Sequence, residues 1–443
     1  MAKNNLPVIF ISLLTIVLVA IAGIFAHDSG NNGDVASGPF IPTPAPVDQD
    51  QIEIAEMLKS SDTTTPAITR FIDSIIPGAI QTSAPAPIVA QIQTSSTATS
   101  VVAAQPVQAP VEVAAPVTTT TIPFGISVGN TLVFLNKDQL NGELDDIASL
   151  GVTWVRLDIS WSDIQPSNGL DYQWANMDAI INALNARNMR ILVNVAYTPP
   201  WARPSTCSTS DKCAPADPAL FARFVQTVAS RYAKNGVFDW EIWNEPNNQD
   251  FWQPAPDPAA YVALLKDTYT AIKQVEPNDT IITGGLASVT TDGSDIAPID
   301  FLQDIYQQGA EPYFTEVGFH PYSFPLTADD TQSWNPWTEM SASSPSLRSV
   351  MTANGDADKQ IWITEYGAPT GGPDAVSEQQ QSTILADYVY AAKNLPWAGP
   401  FFWYSYKDLG TDTSTNENFF GLLRYDGSQK PAYTELKSLL SAQ

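Results

Sequence analysis

The chain has 443 residues and is strongly acidic, with 47 Asp and Glu against 21 Lys and Arg and a formal net charge of −26. Nucleic acid and anionic lipid surfaces are therefore not expected as partners. The only histidines are His27 and His320, and the only cysteines are Cys207 and Cys213. This scarcity excludes a zinc site of the usual His/Cys kind, and a Ser-His-Asp triad would have to use His320. Because no glycine-rich phosphate loop occurs either, we predict no metal and no cofactor.

The N-terminal stretch from Leu6 to Ala26 is apolar over about 21 residues, a length that can span a hydrocarbon core. The residues around Ala26 do not form the small-x-small pattern of a signal-peptide cleavage site. We therefore predict a transmembrane signal anchor over residues 1–26, with a single pass through the cell membrane and the rest of the chain extracellular. A secreted protein, released by signal cleavage, is the alternative.

Residues 27–121 are dominated by Pro, Ala, Thr, Ser, Val and Gln. Such a composition buries little apolar surface, so we predict a disordered stalk. One interruption runs from Gln51 to Ile80, where apolar residues are spaced for short amphipathic helices. A transient helix and a docking segment are both consistent with this pattern.

From residue 122 to residue 443, β-rich apolar runs alternate with helical patterns. Eight runs are predicted strands: Phe124 to Val128, Val152 to Ile159, Arg190 to Ala196, Asp239 to Trp243, Thr280 to Thr283, Glu316 to His320, Ile361 to Thr364 and Pro400 to Tyr404. Six of the helical patterns are Leu140 to Leu150, Met177 to Arg187, Pro218 to Lys234, Pro258 to Val275, Ile299 to Gln308 and Ser377 to Asn394. This α/β alternation predicts a (β/α)8 TIM barrel, whose active site lies at the C-terminal ends of its strands.

Two of the predicted strands end in a glutamate. The fourth strand places Asn244 and Glu245 directly before Pro246, and the seventh ends at Glu365 beside aromatic residues. On its own, an Asn-Glu-Pro sequence is more simply a surface loop. Two carboxyl groups at two strand ends are, however, the minimum equipment for glycoside hydrolysis. We therefore predict that Glu245 and Glu365 are catalytic.

Four further strand-end residues could support this pair. Arg156 is a cation in an apolar strand and needs an anionic partner, either the ionised nucleophile or Asp158 as a structural pair. His320 and Tyr322 follow the sixth strand and can donate hydrogen bonds, although His320 could equally be a packing residue. Asn244 could hold a substrate hydroxyl or simply form a turn.

Tryptophans are frequent in the predicted barrel, and the apolar faces of sugar rings stack on indole. Most of these tryptophans are expected in the core. We predict that Trp403, at the end of the eighth strand, and Trp201, in the loop after the third, face the substrate. Trp161, after the second strand, is included among the substrate-binding residues.

With these residues assembled, the region from Phe124 onward resembles a clan A retaining glycoside hydrolase, most similar to family 39, with family 5 cellulase-type enzymes next. The motifs that carry the resemblance are Trp243-Asn244-Glu245-Pro246-Asn247, Thr364-Glu365-Tyr366-Gly367, Trp154-Val155-Arg156 with Trp161-Ser162-Asp163-Ile164-Gln165-Pro166, and His320-Pro321-Tyr322. The resemblance implies that Glu245 is the general acid/base and Glu365 the nucleophile. It also implies that Asn244 binds the 2-hydroxyl, that Arg156 and Tyr322 orient the nucleophile, and that His320 and Trp403 line the subsite where the bond breaks.

The expected protein is a monomeric β-glycosidase for an extracellular or cell-envelope polysaccharide, attached to the membrane by its N-terminal helix. We see no added β-sandwich of the family 39 type, which favours endo action. Cys207 and Cys213 are expected to form a disulfide in the loop after the third strand. Two alternatives stay open: a catalytically silent carbohydrate-binding surface protein, and a transglycosylase that uses the same two glutamates.

Overall fold

The structure is a computed structural model that describes residues 123–442. The predicted anchor, the predicted stalk and the segment from Gln51 to Ile80 lie outside the described residues. Within residues 123–442, no helix combines the length and the apolar character that crossing a membrane requires.

Eight parallel strands form a closed barrel in chain order, because the first strand pairs with both the second and the eighth. The strands are β1 (Phe124–Ser127), β2 (Trp154–Ser160), β3 (Arg190–Ala196), β4 (Val237–Asn244), β5 (Thr280–Ala287), β6 (Val317–His320), β7 (Ile361–Tyr366) and β8 (Ala398–Tyr404). All eight predicted strands are present, and the predicted (β/α)8 barrel is confirmed.

Helices connect the strands in the described part of the chain. They are α1 (Lys137–Ser149), α2 (Trp161–Ile164), α3 (Ala175–Asn185), α4 (Pro218–Tyr232), α5 (Pro258–Val275), α6 (Pro298–Gln307), α7 (Pro336–Ser341), α8 (Leu347–Ala353), α9 (Glu378–Lys393) and α10 (Pro431–Ser441). Asp217 and Asp257 cap α4 and α5, each followed by a proline at the first helical position. The short α7 and α8 were not predicted, since six or seven residues show too little periodicity.

The barrel interior is closed below the mouth by a small apolar cluster: Trp154, Leu192, Ile282, Trp362 and Phe402. A larger apolar cluster packs the outer face of the barrel against the helices. Because side chains alternate along a strand, the residue two positions after each plug residue also points inward, one layer nearer the mouth. On four of the five strands these residues are Arg156, Asn194, Thr364 and Tyr404, whereas on β5 the inward position is Gly285, where an added Cβ would lie 2.1 Å from His320 Nε2. The apolar plug therefore supports a polar layer, on which the candidate site is built.

Candidate active site

The end of β4 turns sharply and carries two of the predicted residues. Trp243 (φ 73°) and Glu245 (φ 45°) both have left-handed backbones, which are uncommon for such side chains and are typical of functional sites. The turn is held by the hydrogen bond from the Glu245 amide to the Gly285 carbonyl, at 3.1 Å. Gly284 lies against it, and a Cβ there would be 2.7 Å from the Trp243 carbonyl oxygen. Both Asn244 and Glu245 are consequently buried near the mouth of the barrel.

Arg156 is 0% exposed and joins three strands through its guanidinium. Nε donates to Glu241 Oε2 at 2.5 Å, Nη2 donates to Asn244 Oδ1 at 2.9 Å, and Nη1 donates to Glu365 Oε1. Burial alone would lower the pKa of Arg156, but the charges of Glu241 and Glu365 raise it above its ordinary value. Asp158 does not form an ion pair with Arg156. Its Oδ1 instead accepts a hydrogen bond from the side-chain amide of Asn194 at 2.9 Å.

Glu365, at the end of β7, is held as a carboxylate by three donors. Besides Arg156, the Tyr322 hydroxyl donates to Oε2 at 2.9 Å and the Ser127 hydroxyl lies 3.5 Å from Oε1. Burial would raise the pKa of Glu365, but the charges of Arg156 and His320 and the hydrogen bond from Tyr322 lower it below its ordinary value. An ionised carboxylate with a partly open side chain can attack an electrophilic carbon.

His320 lies between the two predicted catalytic carboxyl groups. Its Nδ1 is 2.9 Å from Glu245 Oε1 and 3.9 Å from Glu365 Oε2, and its Nε2 is 3.0 Å from Thr364 Oγ1. Burial lowers the pKa of His320, but the neighbouring Glu365 and Glu245 raise it overall. His320 is therefore more than a packing residue, because its ring contacts both glutamates.

The three predicted substrate-binding tryptophans are placed differently by the structure. Trp403 is 0% exposed and packs outward against Tyr366 and against Tyr388 of α9, so its predicted position in the cleft is wrong. Trp161 is also 0% exposed and stacks on a phenylalanine of α4, so it does not reach the mouth. Trp201 is half-buried and makes an edge contact with Trp161.

The prediction of Trp403 missed the inward-facing residue by one position, because neighbouring residues on a strand point to opposite faces of the sheet. Tyr404 is the inward residue at the end of β8, and its hydroxyl donates to Glu417 Oε1. This hydrogen bond brings a third carboxyl group, that of the exposed Glu417, to the end of β8. Its loop position carries no motif that would have revealed it in the sequence.

Two more site residues were not predicted. Glu241 and Thr364 lie inside β4 and β7, are fully buried, and are joined by a 2.7 Å hydrogen bond from the Thr364 hydroxyl to Glu241 Oε1. For Glu241 the available signal was a charged residue inside an otherwise apolar strand, whereas Thr364 gave no such signal.

The predicted disulfide between Cys207 and Cys213 is confirmed. Around Cys213, backbone hydrogen bonds join this loop to the loop after β4: the Gln253 amide donates to the Lys212 carbonyl at 3.0 Å, and the Ala214 amide donates to the Gln253 carbonyl at 3.1 Å. In the part of the chain that the structure describes, no group of three or more His, Cys, Asp or Glu side chains is arranged to hold a metal ion.

Comparisons with known proteins identify the chain as a glycoside hydrolase. The family model for "Cellulase (glycosyl hydrolase family 5)" matches residues 117–407. A curated β-xylosidase from Caldicellulosiruptor saccharolyticus is 23% identical over 302 residues, which are 65% of this chain. The chain spans only 60% of the length of that relative.

Solved structures show the same fold at low identity. A family 39 glycoside hydrolase from Bacteroides cellulosilyticus superposes with a TM-score of 0.60 at 24% identity, covering 72% of this chain and 64% of that one. A GH5_18 protein from Streptomyces cattleya, in complex with GlcNAc, superposes with a TM-score of 0.53 at 17% identity, covering 72% and 80%. The resemblance to families 39 and 5 is thus confirmed. Because the family model covers most of the barrel, the chain belongs to the cellulase family, glycosyl hydrolase family 5.

Proposed function

We propose that this protein is a retaining glycoside hydrolase that cleaves β-glycosidic bonds by double displacement. The observation that carries the proposal is the pair of carboxyl groups on Glu245 and Glu365, both within 3.9 Å of one nitrogen of His320. Retaining enzymes hold their two carboxyl groups about 5 to 5.5 Å apart, whereas inverting enzymes need about 6.5 to 9.5 Å to admit a water. Because both carboxyl groups lie close to the same nitrogen of His320, the shorter separation of a retaining enzyme is favoured.

The environments of the two glutamates favour different roles. Glu365 is ionised by Arg156 and Tyr322, so it attacks the anomeric carbon and forms a glycosyl ester. Glu245 protonates the departing oxygen as the glycosidic bond breaks. In the second step Glu245 takes a proton from water, whose oxygen displaces Glu365 from the sugar. Asn244, held by Arg156, is placed to bind the 2-hydroxyl.

We expect the substrate to be a neutral β-linked sugar chain. The related β-xylosidase makes a xylose-type pyranoside one class to test. The net charge of −26 disfavours sugars that bear a carboxylate. A neutral polysaccharide is thus favoured over an acidic one.

Endo action is supported by a cavity of about 360 Å³ beside Tyr404, between the loops that follow β1 and β8. Phe134 and Tyr425 line it with 77% and 55% of their surfaces exposed. Exposed rings beside a cleft can stack on sugars, so this cavity could hold a second sugar unit. If so, Phe134→Ala and Tyr425→Ala weaken hydrolysis of long oligosaccharides but leave aryl monosaccharides unaffected. Equal losses on both substrates contradict a second sugar position.

We further propose that the catalytic domain works outside the cytoplasm, tethered by residues 1–26 and by a stalk over residues 27–121. The Cys207–Cys213 disulfide supports an oxidising compartment, and the apolar length of residues 6–26 supports the tether. Fractionation of producing cells, with protease added to intact cells, checks this. Recovery of the whole activity in the medium favours signal cleavage instead.

The main experiment is hydrolysis of a panel of aryl β-glycosides and polysaccharides by wild type and by the Glu365→Gln and Glu245→Gln variants. Both variants should lose roughly 10³-fold or more in kcat on the substrate that wild type cleaves. The exposed Glu311, before β6 on the opposite face of the barrel, serves as the matched control in Glu311→Gln and should leave kcat unchanged.

The anomer released first, followed by NMR, decides between retention and inversion. Undiminished cleavage by Glu365→Gln contradicts the mechanism. Binding of a glycan without cleavage favours a silent carbohydrate-binding protein. Sugar transfer that dominates over hydrolysis when an acceptor is added favours a transglycosylase.

A further inference from the structure

A continuous row of hydrogen bonds crosses the barrel beneath the proposed acid. It runs from Glu241 to Thr364 at 2.7 Å, from Thr364 to His320 Nε2 at 3.0 Å, and from His320 Nδ1 to Glu245 Oε1 at 2.9 Å. Glu241, Thr364 and His320 are each 0% exposed. No step of the proposed reaction uses Thr364 or Glu241, so their role requires a separate explanation.

The proton positions in this row follow from counting donors. Glu241 is an ionised acceptor, because Oε2 pairs with Arg156 and Oε1 accepts the amide hydrogen of Gly285 at 2.9 Å. A threonine hydroxyl has a single proton, and here it is donated to Glu241 Oε1. The oxygen of Thr364 can therefore only accept from its other neighbour. His320 must consequently carry a hydrogen on Nε2, whatever its charge.

We propose that Thr364 and Glu241 lock His320 in its Nε2–H tautomer, so that Glu245 and His320 act as one unit holding a single transferable proton. When the imidazole is neutral, its Nδ1 is an acceptor and Glu245 holds the proton. When the imidazole is charged, both nitrogens are donors and Glu245 is the carboxylate. A neutral imidazole donating from Nδ1 to ionised Glu245 is the one arrangement that the row excludes.

This lock has a consequence for both chemical steps, and in this respect it rests on the proposed function. As the glycosidic bond breaks, the proton of the unit moves to the leaving oxygen. Glu245 is then an ionised carboxylate facing the lone pair of Nδ1, with no hydrogen between them. The two acceptors repel each other, which makes Glu245 a stronger base towards the attacking water. Uptake of the proton from water restores the starting state as the bond to Glu365 breaks.

The charged and titratable groups around His320 come from β2, β4 and β7 and from the segment after β6. They are Arg156 of β2, Glu241 of β4 with Glu245 at its end, Tyr322 after β6, and Glu365 of β7. Glu365 contributes to the raised pKa of His320 through its negative charge. That charge disappears when Glu365 is esterified, so formation of the glycosyl enzyme returns the imidazole towards neutrality.

Thr364→Val tests the lock, because valine has the shape of threonine and no hydroxyl. Without an acceptor at Nε2, a neutral imidazole can carry its hydrogen on Nδ1 and stabilise ionised Glu245. The basic limb of the pH profile of kcat/KM, which reports the loss of the acid's proton, should move to lower pH by about one unit. Thr364→Ser keeps the hydroxyl and should keep the limb at its wild-type pH. If the basic limb stays at its wild-type pH in Thr364→Val as well as in Thr364→Ser, the proposal is overturned.

A second measurement does not depend on activity. The chain has only two histidines, so ¹⁵N-imidazole NMR of the full chain gives two sets of signals, and His27→Gln identifies those of His320. Wild type should show Nε2 protonated across the accessible pH range, whereas Thr364→Val should show the neutral Nδ1–H tautomer. A neutral Nδ1–H tautomer in wild type overturns the lock, even if Thr364→Val fails to fold. If no glycoside is cleaved, the proposed function fails while the NMR result still decides the tautomer.

Discussion

Replacing Arg156 by methionine is the most informative single change, because four acceptors depend on its guanidinium. They are Glu241, Glu365, Asn244 and Ser127. The substitution keeps an unbranched side chain of similar length and removes the charge with all of these donors. Two carboxylates then remain in the barrel without their cation.

The expected cost is large because the ion pairs are buried. Removing one partner of a buried pair typically destabilises a protein by about 3 to 5 kcal/mol, since a charge is left uncompensated. The matched control is Arg231→Met, because Arg231 pairs with Asp178 at the surface, where side chains are 38% and 33% exposed. Such surface pairs contribute about 0 to 1 kcal/mol. Denaturant unfolding, followed by the fluorescence of the 12 tryptophans, measures both variants.

The loss in Arg156→Met should also depend on pH. In wild type the pKa of Glu365 is lowered on folding, so its contribution to stability is present above the unfolded pKa and is lost as pH falls through the folded pKa. Without Arg156, burial prevails and the pKa of Glu365 rises. The stability deficit should therefore be greatest near neutral pH and smaller in acid, where the carboxyl groups take up protons.

Activity gives an independent readout of the same change. The acidic limb of the kcat/KM profile should move to higher pH in Arg156→Met, since the nucleophile must be ionised. A variant within about 1 kcal/mol of wild type at neutral pH, with its acidic limb unmoved, refutes the assignment of Arg156 as the cation that holds both carboxylates.

Three further outcomes are expected. Tyr322→Phe removes the 2.9 Å hydrogen bond to the carboxylate at the end of β7, and should lower kcat/KM by roughly 10-fold to 100-fold and raise the acidic limb; an unchanged profile contradicts that contact. Trp403→Phe should lower the melting temperature with KM unchanged, whereas Tyr404→Phe should change kcat or KM with little loss of stability; the reverse pattern would place Trp403 in the cleft after all. Reduction of the Cys207–Cys213 disulfide should destabilise the protein by less than ~3 kcal/mol, because the closed loop is short, and melting with and without reductant measures it.

Much of the fold could be predicted from the sequence because its signals are local. Apolar β-rich runs and helical periodicity are properties of a few consecutive residues, and β3 (Arg190–Ala196) and α5 (Pro258–Val275) have the predicted bounds. The strand-end position of Glu245 and Glu365 follows from the same local reading, and the barrel fold then brings strand ends to one mouth. The catalytic roles of the two glutamates remain predictions until variants are measured.

The partners of these residues were decided only by the tertiary structure, because they are distant in the chain. Arg156 meets Glu241 across 85 residues and Glu365 across 209, and the sequence left Asp158 open as an alternative partner. The direction of a side chain at a strand end is also set by tertiary packing: the residue that points towards the barrel mouth is Tyr404 and not Trp403, one position away. The sequence by itself therefore determined the barrel and the two glutamates. Tertiary packing decided which charges meet, which aromatic ring reaches the cleft and which nitrogen of His320 carries hydrogen.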